Sequence, residues 1–108
     1  DYPDYVGPLA QNVAQDSQNL GIVICRNGVG VSMLANKFKG IRAALSFSPK
    51  HAASSKNDDN SNVLALPSDY IDDQTAFDTV DKWLATDFSE DERHKNRLEK
   101  VQNIENSL

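Results

Sequence analysis

Leu20-Gly21-Ile22-Val23-Ile24-Cys25, followed at once by Arg26-Asn27-Gly28-Val29-Gly30, decides how the rest of the chain folds. The first six residues form a continuous apolar, β-branched run, which reads as a strand buried on both faces of a parallel sheet. The glycine turn and the helical pattern from Val31 to Phe38 then carry the chain over one face. Similar runs at Ile41 to Phe47 and Asn62 to Leu66 supply a second and a third strand. Upstream, Val6, Leu9, Ala10, Val13 and Ala14 recur at three and four between Asp4 and Gln15, a helix with one buried face and Pro8 near its first turn. Pro49 to Lys56 reads as a short helix and Asn57 to Asn62 as a polar turn. Asp72 to Thr86 carries Ala76, Phe77, Val80, Trp83 and Leu84 on an amphipathic helix with acidic residues at its start. Ser89 to Glu105 reads as a last helix bearing Leu98, Val101 and Ile104, with Ser89 and Glu92 spaced as a capping box. Strand and helix alternate throughout, so the expected class is α/β with a parallel sheet covered by helices.

Composition narrows the function classes. The 108 residues, 39% hydrophobic and 25% charged, suit one small domain over 1–108, with neither an internal repeat nor a low-complexity linker. Eleven Lys and Arg against sixteen Asp and Glu leave a charge of −5, which argues against a general grip on nucleic acid or on an anionic membrane. A single cysteine, Cys25, makes neither an internal disulfide nor a multi-thiolate zinc site, so the chain reads as cytoplasmic. No stretch approaches the ~20 apolar residues of a membrane helix, and no basic-then-apolar leader opens the chain. Asp1-Tyr2-Pro3 opens it without Met, which reads as a processed or truncated form.

Open parallel sheets bind ligands beyond the carboxyl ends of their strands, where backbone N–H groups converge. Asn27, Gly28, Val29 and Gly30 occupy such a place and can offer amides to an oxyanion. Cys25 stands beside them, either as a base or nucleophile or as an inert core thiol. Arg93 and Arg97, four apart, share a helix face and either grip one phosphate or form a solvated face paired with Glu90, Glu92 or Glu99. His94 points away from that face, and His51 reads as a solvated residue of a surface helix. The pairs Asp58-Asp59 and Asp72-Asp73 fit turn and helix-start chemistry better than a metal site.

Taken together, Asp1-Tyr2-Pro3-Asp4-Tyr5, Gly21 to Cys25 with Gly28-Val29-Gly30, and Ala35-Asn36-Lys37-Phe38-Lys39-Gly40-Ile41-Arg42-Ala43-Ala44 resemble the ribose-5-phosphate isomerase type B family, which includes the galactose-6-phosphate isomerase subunits. The resemblance continues through Asn62-Val63-Leu64-Ala65 and Arg93-His94 to Arg97. It implies a Rossmann-like (flavodoxin-like) three-layer fold and metal-free, cofactor-free interconversion of aldose and ketose phosphates through an enediolate. It further implies that Cys25 is the base, that the amides from Asn27 to Gly30 stabilise the enediolate oxygen and that Arg93 and Arg97 bind phosphate. Tyr2 falls at a substrate-side tyrosine. The family's site is built across a dimer interface, so a homodimer or higher oligomer is expected, with a phosphorylated sugar as ligand.

The departures are equally specific. The family's first strand-helix-strand unit is expected upstream of Asp1, which makes this chain the C-terminal part of the family domain and leaves the first strand with an unpaired edge. Where members have Cys-Gly-Thr-Gly, this chain has Cys25-Arg26-Asn27-Gly28. The histidine credited with ring opening falls on Asp58, the following asparagine on Asp59, and an arginine on Asp69. A carboxyl group serves as a proton donor near neutrality only if burial raises its pKa. Two functions follow as expectations: an active sugar-phosphate isomerase with Cys25 and Asp58 catalytic and Asp59 at the substrate, or a weakened or inactive member that acts as a subunit beside a paralogue.

Overall fold

A computed structural model describes all residues from Asp1 to Leu108. The elements, in chain order, are α1 Tyr2–Gln15, β1 Gly21–Cys25, α2 Val29–Ala35, β2 Ala43–Leu45, α3 Pro49–Asp59, β3 Val63–Pro67, α4 Asp73–Leu84 and α5 Glu92–Asn106. The three strands are parallel and lie in the order β1-β3-β2, so the last strand in the chain is the central one. Every residue of β3 is buried, as a strand with neighbours on both edges and helices on both faces must be.

The two faces close separately. Val6, Ala10 and Val13 of α1 and Val31 and Ala35 of α2 pack on Val23, Val63 and Ala65. On the other face, Ala52 of α3 and Trp83 of α4 pack on Leu64 and Leu66. Trp83 is fully buried; its indole N–H donates to Ser61 Oγ at 2.8 Å, and Lys56 Nζ lies 4.3 Å from its ring centroid.

Several expected elements are corrected. β1 is covered on one face only: Val23 is buried while Ile22 and Ile24 are exposed, because α3 and α4 lie over β3 and no partner strand flanks the outer edge of β1. α1 starts at Tyr2, with Pro3 in its first turn, and runs on through Pro8, which sits mid-helix. α3 extends to Asp59, so Asn57, Asp58 and Asp59 are helical rather than a turn, and Asn60, in the left-handed region at φ 50°, ends the helix. The Ser89/Glu92 capping box does not form. Glu90 takes φ 58° and Asp91 caps α5 by accepting the Arg93 N–H at 3.1 Å. Leu98 is half-buried, while Val101 and Ile104 are exposed, so the apolar side of α5 is largely uncovered.

Trp83→Ala is expected to lower unfolding stability by about 3–5 kcal/mol, the usual cost of deleting a large buried aromatic. Denaturant melts of the two proteins measure it, and a loss below about 1 kcal/mol contradicts the packing described.

Candidate active site

Parallel pairing aligns the strand ends: Cys25, the last residue of β1, is the register partner of Pro67, the last of β3. Beyond them opens a cleft of about 660 Å³ whose walls include Asn27, Val29, Leu45, Phe47, Pro67 and Tyr70. Cys25 is half-buried at its side. The Gly28 N–H donates to Cys25 Sγ at 3.2 Å, and the thiol lies 3.8 Å from Asn27 Oδ1, its acceptor. The same Asn27 oxygen accepts the Val29 N–H at 3.0 Å. Of the four expected oxyanion donors, Gly28 therefore points its amide at the sulfur and Val29 at a side-chain oxygen.

Glycine is required at the head of this turn. Gly28 adopts φ 74°, and a Cβ there would stand 3.2 Å from Leu45 Cγ and 3.3 Å from the Pro67 nitrogen. Gly30 is needed for a different reason: its absent side chain makes room for Tyr2, whose ring would lie 2.7 Å from a Cβ at that position. Tyr2 thus joins Cys25 and the residues from Asn27 to Gly30 at one end of the sheet.

Two of the departures from the family pattern meet here. Arg26 Nε donates to Asp69 Oδ2 at 2.8 Å, so the Asp69 carboxylate faces a guanidinium rather than standing as a bare anion beside the cleft.

The remaining predicted residues gather elsewhere. α3 starts beyond the carboxyl end of β2 and runs back to the amino end of β3, eleven residues and about 16 Å of helix. Asp58, in its last turn, consequently lies at the opposite edge of the sheet from Cys25, with Asp59 exposed beside it. Asp58 accepts from Asn57 Nδ2 at 2.8 Å and stands 3.9 Å from His94 Nε2. The Asn57 hydrogen bond, helped by His94, Ser54 and Arg93, holds the Asp58 carboxyl below the usual carboxylate range. The expected proton donor is in this structure an anion at neutral pH, because the Asn57 hydrogen bond favours its charged form, and the same bond leaves it a weak base.

His94 is 6% exposed and accounts for the placement of α5: its Nδ1 bonds Ser89 Oγ at 2.8 Å, and the Ser89 N–H donates to Asn57 O at 3.0 Å. This pins the start of α5 to the end of α3 and sets Arg93 near Asp58, with Arg97 one helical turn further along α5. Arg93 lies 3.5 Å from Asp91 Oδ2, and Arg97 forms no ion pair; neither engages Glu90, Glu92 or Glu99. Arg97 is thus left without a carboxylate partner, while Arg93 has Asp91.

Sequence reasoning passed over His51. It is exposed, as a surface-helix histidine should be, yet it is not free: Nδ1 bonds the buried Ser46 Oγ at 2.8 Å, and its ring stacks on Phe47 at 4.7 Å. Ser48 followed by Pro49 is a helix-start signal that sets His51 in the first turn of α3, next to the cleft wall. No three His, Cys, Asp or Glu side chains converge as metal ligands would, and no helix is long and apolar enough to cross a membrane.

An open parallel sheet with a cysteine, a glycine turn and a cleft beyond its carboxyl ends defines an α/β protein with a small-molecule site at that end. The chain belongs to the ribose/galactose isomerase family, whose model matches residues 1–101. It is 45% identical over 102 residues to a probable ribose-5-phosphate isomerase B of Mycoplasma genitalium, covering 94% of this chain and 66% of that protein. It is 41% identical over 105 residues to ribose-5-phosphate isomerase B of Escherichia coli, covering 97% and 70% of the two chains. The crystal structure of the Mycoplasma genitalium isomerase with bound ribulose-5-phosphate superposes with TM-score 0.95 at 42% identity, over 100% of this chain and 71% of that one. The type B isomerase of Trypanosoma cruzi gives TM-score 0.97 at 34% identity, covering 100% and 72%. The chain thus spans about two thirds of the length of its relatives.

Gly28→Ala is expected to destabilise the fold by about 1–2 kcal/mol, the cost of a left-handed backbone in a residue with a Cβ. Chemical denaturation reads the effect, and an unchanged midpoint contradicts the tight turn over Leu45 and Pro67.

Proposed function

We propose that this protein is an aldose-ketose isomerase that interconverts ribose 5-phosphate and ribulose 5-phosphate, or a closely related sugar phosphate, in the cytoplasm. One observation carries the reading: the sulfur of Cys25 stands at the carboxyl end of β1 with the Gly28 N–H directed at it, in a turn whose Asn27 and Val29 line a cleft. A carbon acid is hard to deprotonate, and a sulfur base with an N–H directed at it, beside further amides for the developing oxyanion, is suited to moving a proton between C2 and C1. The amides of Asn27 and Gly30, the two in the turn that neither the sulfur nor the Asn27 side chain takes up, would hold the enediolate oxygen, with Tyr2 against the sugar. The Mycoplasma genitalium relative binds ribulose-5-phosphate, which supports a phosphorylated sugar as the ligand here.

The phosphate-binding half is supplied by a second copy. Arg93, Arg97, Asp58 and Asp59 lie at the far edge of the protomer from Cys25, so a twofold pairing that brings one chain's arginines to the other's cleft completes the site. Asp58, an anion held below the usual carboxylate range, is then a weak base that orients the sugar by hydrogen bonds, while water takes the anomeric hydroxyl proton and protonates the ring oxygen as the ring opens. The anionic state of Asp58 also favours a second reading, a weakened family member that binds sugar phosphate as a subunit beside an active paralogue.

Isomerisation of ribose 5-phosphate separates the two. In the first reading Cys25→Ala lowers kcat by about 10²- to 10⁴-fold, while Arg97→Ala raises KM by about 10-fold through the lost charged hydrogen bonds to phosphate. A folded oligomer without turnover contradicts the isomerase and supports the binding subunit.

A further inference from the structure

The loops after β1 and β3 are joined beyond the end of the sheet. The Ser68 N–H donates to Cys25 O at 2.9 Å and the Asp69 N–H to Arg26 O at 2.8 Å, so the ladder of β1 and β3 runs past its last paired residues into the loops. Ser68 Oγ adds a bond to Cys25 O at 3.3 Å, and Arg26 Nε closes on Asp69 Oδ2 at 2.8 Å. A little further along the chain, Gly28 presses against Leu45 and the Pro67 nitrogen. The turn that directs an amide at Cys25 Sγ is therefore gripped on both sides of Asn27, once by side-chain charge and once by packing.

We propose that Arg26 and Asp69 form a positioning clip that fixes the Cys25 to Gly28 turn for proton transfer and sets the local charge that an anionic substrate meets. The inference rests on the isomerase reading above. Two features favour it over a role in overall stability. The Arg26 side chain is 89% exposed and that of Asp69 46%, and ion pairs in such a setting contribute little to the global fold. Arg26 also meets Asp69 through Nε, a donor close to the chain that the longer, terminal ammonium of lysine does not reproduce. Joined, the pair is neutral: Asp69 does not repel a phosphorylated sugar, and Arg26 does not trap one.

The clip makes opposed predictions for its two halves. Arg26→Ala and Asp69→Ala should each lower kcat by about 10-fold through loss of near-attack geometry. KM should move in opposite senses, rising when Arg26 is removed, because Asp69 is left bare, and falling when Asp69 is removed, because Arg26 is left bare. The exchanged pair Arg26→Asp with Asp69→Arg should regain kcat over either single variant, with KM near that of the parent, and Arg26→Lys should regain little. Melting temperatures should stay close together. Hydrogen exchange of the Gly28, Ser68 and Asp69 amides reads the same geometry without substrate, and both single variants should lose protection there. Single variants with kcat within about twofold of the parent and with unchanged exchange overturn the clip, as do KM shifts of the same sign. A parent protein that shows the exchange behaviour but no turnover overturns the isomerase reading and leaves the clip standing.

Discussion

Parallel pairing of β3 with both β1 and β2 is the constraint from which the other features follow. Because β3 has a strand on each edge and helices on each face, all its residues are buried, and it accepts only the apolar run Val63-Leu64-Ala65-Leu66-Pro67. Parallel register sends all three carboxyl ends to the same side, which brings Cys25 opposite Pro67 and lets the following loops bond each other. The cleft, the glycine turn and the Arg26 and Asp69 pair exist because that edge collects three loops at once. The same constraint returns each connecting helix to the amino edge, and α3 thereby delivers Asp58 to the side of the sheet away from Cys25.

This separation gives the exposed surfaces a common logic. Cys25 lies at one end of the sheet and Arg93 and Arg97 toward the other, and in the proposed isomerase these are two halves of a site, each open to solvent. Arg97 is unpaired, the cleft beside Cys25 is open, and Val101 and Ile104 of α5 are uncovered. The outer edge of β1, with Ile22 and Ile24 exposed and Tyr2, Tyr5 and Leu9 around a shallow apolar hollow, is a further surface. An uncovered strand edge of this kind is a template for pairing, and charged or covering elements blunt it in most proteins.

Much of this was legible in the residues. The strand at Gly21 to Cys25, the glycine turn and the α/β alternation followed from period and composition, and the turn brought Cys25, Asn27 to Gly30 and Tyr2 together as the motif required. Coverage of β1 was not legible, because Ile22 and Ile24 read alike whether or not a helix lies over them; burial depends on neighbours distant in sequence. The extension of α3 was hidden by Asn57-Asp58-Asp59, whose side chains favour turns when isolated but continue a helix that Asn60 stops in the left-handed region. That His94 turns inward to anchor α5 was not legible, because its partner Ser89 has an equally good local use as a cap, and only tertiary contact with Asn57 and Asp58 decides between them. Arg26, where family members have glycine, and Asp69, where they have arginine, read in sequence as two separate departures; across 43 positions they form one ion pair.

The central claim is that one working site draws on two copies of the chain, and mixing two impaired variants tests it most directly. Cys25→Ala and Arg97→Ala chains are co-expressed in equal amounts and assayed with ribose 5-phosphate well below the parent's KM, where the first has lost at least about a hundredfold of its rate and the second about tenfold. If Cys25 of one copy meets Arg97 of the other, half of the randomly formed dimers carry one intact site, and activity returns to about a quarter of the parent's. Activity no higher than the average of the two variants would contradict the account and require both residues to serve the same site within a single chain.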